Sequence, residues 1–146
     1  MSIQNGIVAI VDDDAGTKMA MRRLLHAFGY TTYSFDSAEA FLMTAAGSKA
    51  NCLVVDIQLG EMSGIELARR LAEAGFKFPI IFMTAVDNPA ILGQVTQLGC
   101  IACLRKPFSA DQLIEAIVKS ARLELGADGI EPSDLASILQ EIWREF

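Results

Sequence analysis

A chain of 146 residues has room for one domain with a sizeable core. Apolar residues make up 52% of it, which suits a sheet covered on both faces, and no apolar run approaches the roughly 18 residues needed to span a bilayer. The formal net charge of −6, with no block of Lys and Arg, argues against nucleic-acid binding by this segment, because phosphate neutralisation dominates such affinity.

In chain order, Ile7–Val11 is a short β-branched run that ends in three aspartates, and it reads as a strand buried on both faces. Thr17–Phe28 places Met21, Leu24, Leu25 and Phe28 at helical spacing, with Gly29 as its stop. Thr31–Phe35 is a second strand. Asp36 is the expected cap of the next helix, with Glu39 three residues on, and that helix runs to about Ala46. Cys52–Val55 forms a strand ending at Asp56, and a loop with Gly60 and Gly64 leads to a helix around Ile65–Glu73. Pro79–Met83 is a strand ending at Thr84, followed by a helix near Pro89–Leu98. Ile101–Leu104 is the last strand, just before Lys106-Pro107. Ala110–Leu125 is a helix with Leu113, Ile114, Ile117 and Val118 on one face. Five strands alternating with five helices imply an open, doubly wound parallel sheet with right-handed crossovers.

The first six residues, Met1 to Gly6, lack the basic flank and apolar stretch of a secretion signal, so the expectation is a cytoplasmic protein. Three cysteines without a signal argue against a disulfide framework. Cys100 and Cys103 have CxxC spacing, but His26 is the single histidine and adds too few ligands for zinc. Cys103 falls in a strand and not at a helix start, where a redox thiol is activated, so buried packing is the expected role. His26 sits on a helix without a motif and reads as a surface or boundary residue.

The reactive residues fall at strand ends. Asp12 and Asp13 follow strand one, Asp56 closes strand three, Thr84 closes strand four and Lys106 follows strand five. In an open parallel sheet those carboxyl ends line the crevice where ligands bind. Clustered carboxylates repel one another unless a cation offsets them, and hard oxygen donors favour magnesium. Thr84 supplies a hydroxyl and Lys106 a compact positive charge, both suited to a phosphoryl group, and a carboxylate can attack phosphorus to give an aspartyl phosphate.

Val11-Asp12-Asp13-Asp14, Val55-Asp56-Ile57-Gln58-Leu59 with Met62-Ser63-Gly64, Met83-Thr84-Ala85, and Lys106-Pro107-Phe108 together resemble the motifs of response-regulator receiver domains of bacterial two-component systems. The likeness runs from about Ile7 to Leu125 and is similar to receivers of LuxR-type regulators. It implies a flavodoxin-like and CheY-like fold with strand order 2-1-3-4-5, forming a receiver domain over 1–125. Asp56 would accept phosphate from a histidine kinase or phosphotransfer protein. Mg2+ would sit on Asp13, Asp56 and the backbone carbonyl of Gln58, with Asp12 acting mainly through water. Thr84 would hydrogen-bond the phosphoryl group and Lys106 would pair with its oxygens. The Lys106–Pro107 bond would be cis. Autodephosphorylation would be the only catalysis besides phosphoryl acceptance. Asp14 has no role in the motif and reads as a turn or capping residue.

The sequence departs from that pattern in places. Gly60 stands where proline is frequent, which loosens the loop after Asp56. Cys103 replaces the usual aromatic, so a ring cannot swing with the threonine. Gln58 and Val86 occupy positions that tune phosphate lifetime, and an apolar Val86 points to slow hydrolysis. Beyond Gly126–Gly129, a linker, Leu135, Ile138, Leu139, Ile142, Trp143 and Phe146 form an apolar stripe on a further helix over the 126–146 segment. That helix packs on its own domain or contacts a homodimer or output partner, as the face of helix four, strand five and helix five also could. Two rival readings remain: the receiver part of a LuxR-type transcription factor, and a haloacid-dehalogenase-type phosphatase using Asp12, whose opening motif Ala15 breaks.

Overall fold

A computed structural model describes residues 6–85 and 88–124. The strands are β1 (Gly6–Val11), β2 (Tyr30–Phe35), β3 (Cys52–Asp56), β4 (Ile80–Thr84) and β5 (Ala102–Arg105). All pairings are parallel and the order is β2-β1-β3-β4-β5. The helices are α1 (Ala15–Ala27), α2 (Ala38–Thr44), α3 (Gly64–Glu73), α4 (Pro89–Gln97) and α5 (Ala110–Glu124), with a 3-10 turn at Ala45–Gly47. This is the doubly wound fold read from the alternation of elements. Val86, the Gly126–Gly129 linker and the Leu135–Phe146 stripe lie outside the described residues.

Alternation along the central strands builds two cores. Val8 and Ile10 of β1, Cys52 and Val54 of β3, and Ile81 and Met83 of β4 face α1 and α5, where they meet Met21, Leu25, Leu113, Ile114 and Ile117. Ala9, Val11, Leu53, Val55 and Phe82 face the other way, onto Phe41, Leu67, Ala68, Leu71 and Val95 of α2, α3 and α4. Successive side chains of a strand point to opposite faces, so a strand covered on both must be apolar throughout. β3 meets that demand until its last residue: all five of its positions are buried, and the fifth is Asp56.

Caps fix where the helices start. Asp14 accepts the Thr17 N–H at 2.8 Å and its hydroxyl at 2.6 Å, which sets the start of α1 at Ala15. Ser63 accepts the Glu66 N–H at 3.1 Å before α3, and Glu66 pairs with Arg70 one turn on. Asn88 caps α4, with Pro89 in the first turn. The expected cap of α2 is corrected: Ser37, not Asp36, accepts the Ala40 N–H at 3.0 Å. Asp36 instead pairs with Lys18 across to α1. α2 also ends earlier than expected, at Thr44, because the chain tightens into the 3-10 turn. Gly29 takes a φ of 89° to end α1, a left-handed conformation that favours glycine.

Candidate phosphoryl-acceptor site

The carboxyl edge of the sheet gathers Asp12, Asp13, Asp56, Thr84 and Lys106 from four separate strand ends. β1 and β3 are neighbours, with Val11 opposite Val55, so the residues that follow them lie side by side. One carboxylate oxygen from each of Asp12, Asp13 and Asp56 falls within 4.8 Å of the others. Asp12 and Asp56 are buried, at 0% and 6% exposed, while Asp13 is open to solvent.

Lys106 arrives from the far strand of this half-sheet. Its backbone N–H donates to the Thr84 carbonyl at 2.7 Å, which registers the residue after β5 against the end of β4. Its Nζ donates to Asp56 Oδ2 at 2.8 Å and to Asp12 Oδ2 at 3.0 Å. Burial on its own lowers the ammonium pKa, but the hydrogen bonds it donates to Asp56 and Asp12, and their charges, outweigh it and hold the group above the ordinary lysine value. The Lys106–Pro107 peptide is cis.

The second oxygen of each buried carboxylate is held by backbone. Asp56 Oδ1 accepts the Gln58 N–H at 2.8 Å, and Asp12 Oδ1 accepts the Asp14 N–H at 2.9 Å. Asp14 is itself fixed by its cap; the Thr17 hydroxyl, then the Thr17 N–H, hold its carboxyl below the usual range. Thr84, 2% exposed, sits at the same edge one residue beyond Met83, the register partner of Asp56. Gln58 lies directly after Ile57, whose N–H donates to the Met83 carbonyl at 2.9 Å, so the chain leaving β3 stays bonded to β4 up to the residue before Gln58.

The donor set suits a hard divalent cation. Three carboxylates face one ammonium, an excess of two negative charges in a partly dry site. Beside it, Thr17, Ala20, Met21, Leu24, Lys106, Pro107 and Phe108 line an apolar groove of about 470 Å³ between α1 and the segment leading to α5.

Two features of this neighbourhood were not legible in the sequence. Lys18, its side chain only 12% exposed, is engaged by Asp36 at the rim. Gly64 touches the backbone of Asp56, a contact that no residue type or spacing announces. The remaining candidates stay apart from the cluster. His26 is exposed and lies 3.4 Å from the Thr32 hydroxyl. Cys103 is on β5, Cys100 precedes it, and both are free thiols packed against the α2–α4 side of the core. Burial, the larger cause for each, pushes both thiols up, away from thiolate chemistry.

An open parallel sheet with an acidic cluster and a lysine at its carboxyl edge is the architecture of a phosphoryl-accepting signalling module, and comparison with known proteins fixes the family. The response regulator receiver domain matches residues 8–118. The chain belongs to that family. It is 33% identical over 123 residues to the response regulator protein TmoT of Ectopseudomonas mendocina, covering 84% of this chain and 56% of that protein. It is 34% identical over 116 residues to the transcriptional regulatory protein FixJ of Bradyrhizobium diazoefficiens, covering 80% of this chain and 56% of that protein. The chain therefore spans about half the length of the curated relatives it matches. Among solved structures, the FixJ-N crystal structure superposes with a TM-score of 0.76 at 30% identity, over 82% of this chain and 96% of that one. Full-length FixJ from B. japonicum superposes with a TM-score of 0.80 at 31% identity, over 86% of this chain and 62% of that one. Receiver domains are signalling modules and not classical enzymes, which sets aside the phosphatase reading. Among the described residues no helix is long and apolar enough to cross a membrane.

Proposed function

We propose that this chain is a phosphorylation-driven switch in which Asp56 accepts a phosphoryl group from the phosphohistidine of a histidine kinase or phosphotransfer protein. The observation that carries the reading is the Lys106 ammonium, held at hydrogen-bond distance from both buried carboxylates, Asp12 and Asp56. An Asp56 oxygen attacks phosphorus in line, the bond from phosphorus to the histidine nitrogen breaks, and the imidazole leaves with the electron pair. Gln58 N–H and Lys106 orient the attacking carboxylate, Lys106 meets the charge on the transferred oxygens, and Thr84 donates its hydroxyl to one of them. Asp12, Asp13, Asp56 and the Gln58 carbonyl are the residues that would hold Mg2+, which when bound supplies the countercharge that the phosphoryl group and the three carboxylates require. The groove between α1 and Phe108 offers an apolar seat for a helix of the donor protein.

Output passes to a partner through α4, β5 and α5. α4 carries no charged residue from Pro89 to Gln97 and leaves Leu92 exposed, a composition suited to a protein contact. The relatives named as transcriptional regulators, matched over about half their length, favour the same switch working inside a LuxR-type transcription factor.

Intact mass spectrometry after incubation with acetyl phosphate and Mg2+ tests the chemistry. One phosphate is expected on the native chain and none on Asp56→Asn. Equal labelling of the two chains overturns the assignment of Asp56.

A further inference from the structure

We propose that Gly64 is a positioning residue for the phosphoacceptor: its missing side chain lets the first turn of α3 seat directly on the Asp56 peptide and fix where the carboxylate stands. The inference rests on the reading of Asp56 as acceptor. A Cβ placed at Gly64 would lie 2.4 Å from the Asp56 carbonyl oxygen, 2.9 Å from Val55 Cγ1 and 3.0 Å from Ile57 Cα. Two of those three neighbours are backbone atoms, which cannot rotate aside. The contact is also tied, since the Gly64 N–H donates to the Ile57 carbonyl at 3.0 Å. Helix start and strand end thus touch and are bonded at the same point.

The other glycines show what is particular here. Gly60, Gly47 and Gly93 have open space where a Cβ would be, whereas Gly75 and Gly99 are required by positive φ. Gly64 needs neither room for a loop nor a left-handed backbone; it needs closeness. Restoring ordinary contact would push the Asp56 peptide about 1 Å away from α3, given carbon–oxygen distances near 3.4 Å. The same peptide carries a side chain with both oxygens committed, Oδ1 to Gln58 N–H and Oδ2 to Lys106, each at 2.8 Å. A displacement of that size moves the nucleophile off both partners, and misplacement on this scale costs about 100-fold in rate.

Gly64→Ala is compared with Ser63→Ala, which removes the α3 cap without adding a Cβ, and with the double variant Val55→Ala/Gly64→Ala, which removes the side-chain part of the clash and keeps the carbonyl part. Rates of phosphate uptake from acetyl phosphate at saturating Mg2+ are read beside the Gln58 amide resonance, which reports its bond to Asp56, and thermal melting. The expected result is a rate about 10–100-fold lower and a shifted Gln58 resonance in both Gly64 variants. Ser63→Ala should melt earlier but keep both native readouts. A native rate in Gly64→Ala, or recovery of the native rate in the double variant, overturns the inference. So does failure of both Gly64 variants to fold, since the contact would then serve the fold alone. Failure of the native chain to take phosphate at Asp56 marks instead the failure of the underlying assignment.

Discussion

At the carboxyl edge of the sheet Asp12 and Asp56 are as deeply covered as Leu71 is toward the opposite edge, 0% and 6% exposed against 1%. The surroundings differ completely. Around the aspartates every described carboxylate oxygen bond is specific: Lys106 to one oxygen of each, and a backbone N–H to the other. Around Leu71 the side-chain neighbours are apolar: Phe76, Phe78, Ile80 and Phe82 line with it a cavity of about 350 Å³, and the Phe76 N–H donates to the Leu71 carbonyl at 2.9 Å. Phe78 meets Phe41 edge-on at 5.5 Å and stacks on Phe76 at 5.8 Å. Apolar burial stabilises in proportion to area and tolerates the cavity, whereas buried charge is stabilised only as a complete set of partners. One edge therefore serves as foundation, and the other holds charge in a state that a new group can redistribute.

Removing the shared cation should break the comparison most severely. Lys106→Met leaves Asp12 and Asp56 facing each other, and because the Lys106 side chain is 24% exposed the loss should be about 3 kcal/mol, the low end for breaking a buried pair. Chemical denaturation measures it, and phosphate uptake should fall with it. Added Mg2+ should recover more stability in this variant than in the native chain. Equal recovery would mean that the carboxylates are not the source of the strain.

Leu71→Ala makes the matching lesion at the apolar edge. Truncating a buried leucine beside a cavity costs about 2–4 kcal/mol, with denaturation again the measure. Its distinguishing outcome is chemical: below the melting transition, phosphate uptake should match that of the native chain. A tenfold loss of rate would show that the two edges are coupled through α3 and would end the division of labour drawn above.

Tyr30, opposite Gly6 at the start of β2, brings a titratable group to the apolar edge. Burial, helped by the nearby Cys52, pushes its phenol up to about 12. The folded state thus resists the phenolate that the unfolded chain forms near pH 10. Stability is whole below that pH and falls as pH climbs toward 12, by about 2 kcal/mol. Melting curves of Tyr30→Phe should lose this slope, while an unchanged slope would assign it to other groups.

Much of this was legible in the sequence, for physical reasons. A strand covered on both faces has to be apolar at every position, so Cys52–Val55 stood out, and the charge that ended it marked the site. Asp12, Asp56, Thr84 and Lys106 were readable because parallel strands deliver their ends to one edge. What the sequence did not carry was contact between elements. Gly64 looks like any loop glycine until α3 is laid on β3, and the Lys18–Asp36 pair joins residues from α1 and the end of β2. The cap of α2 failed for a related reason: Asp36 and Ser37 are both good caps, and only the direction of chain entry decides between them.

That choice yields the smallest effect and a sharp one. Ser37 accepts the Ala40 N–H, while Asp36, 86% exposed, pairs with Lys18. Ser37→Ala should destabilise by about 1 kcal/mol, the usual worth of a lost N-cap. Asp36→Ala should cost less than that, because the carboxylate of this pair is 86% exposed and water screens its attraction for Lys18, even though the Lys18 side chain is largely covered. High salt separates the two further, since it screens a surface pair and leaves a cap hydrogen bond intact. If Asp36→Ala proved the more damaging change, the Lys18–Asp36 pair would be a structural tie between α1 and β2. The carboxyl edge would then hold two charge-paired anchors, Lys106 within the site and Lys18 at its rim, in place of one.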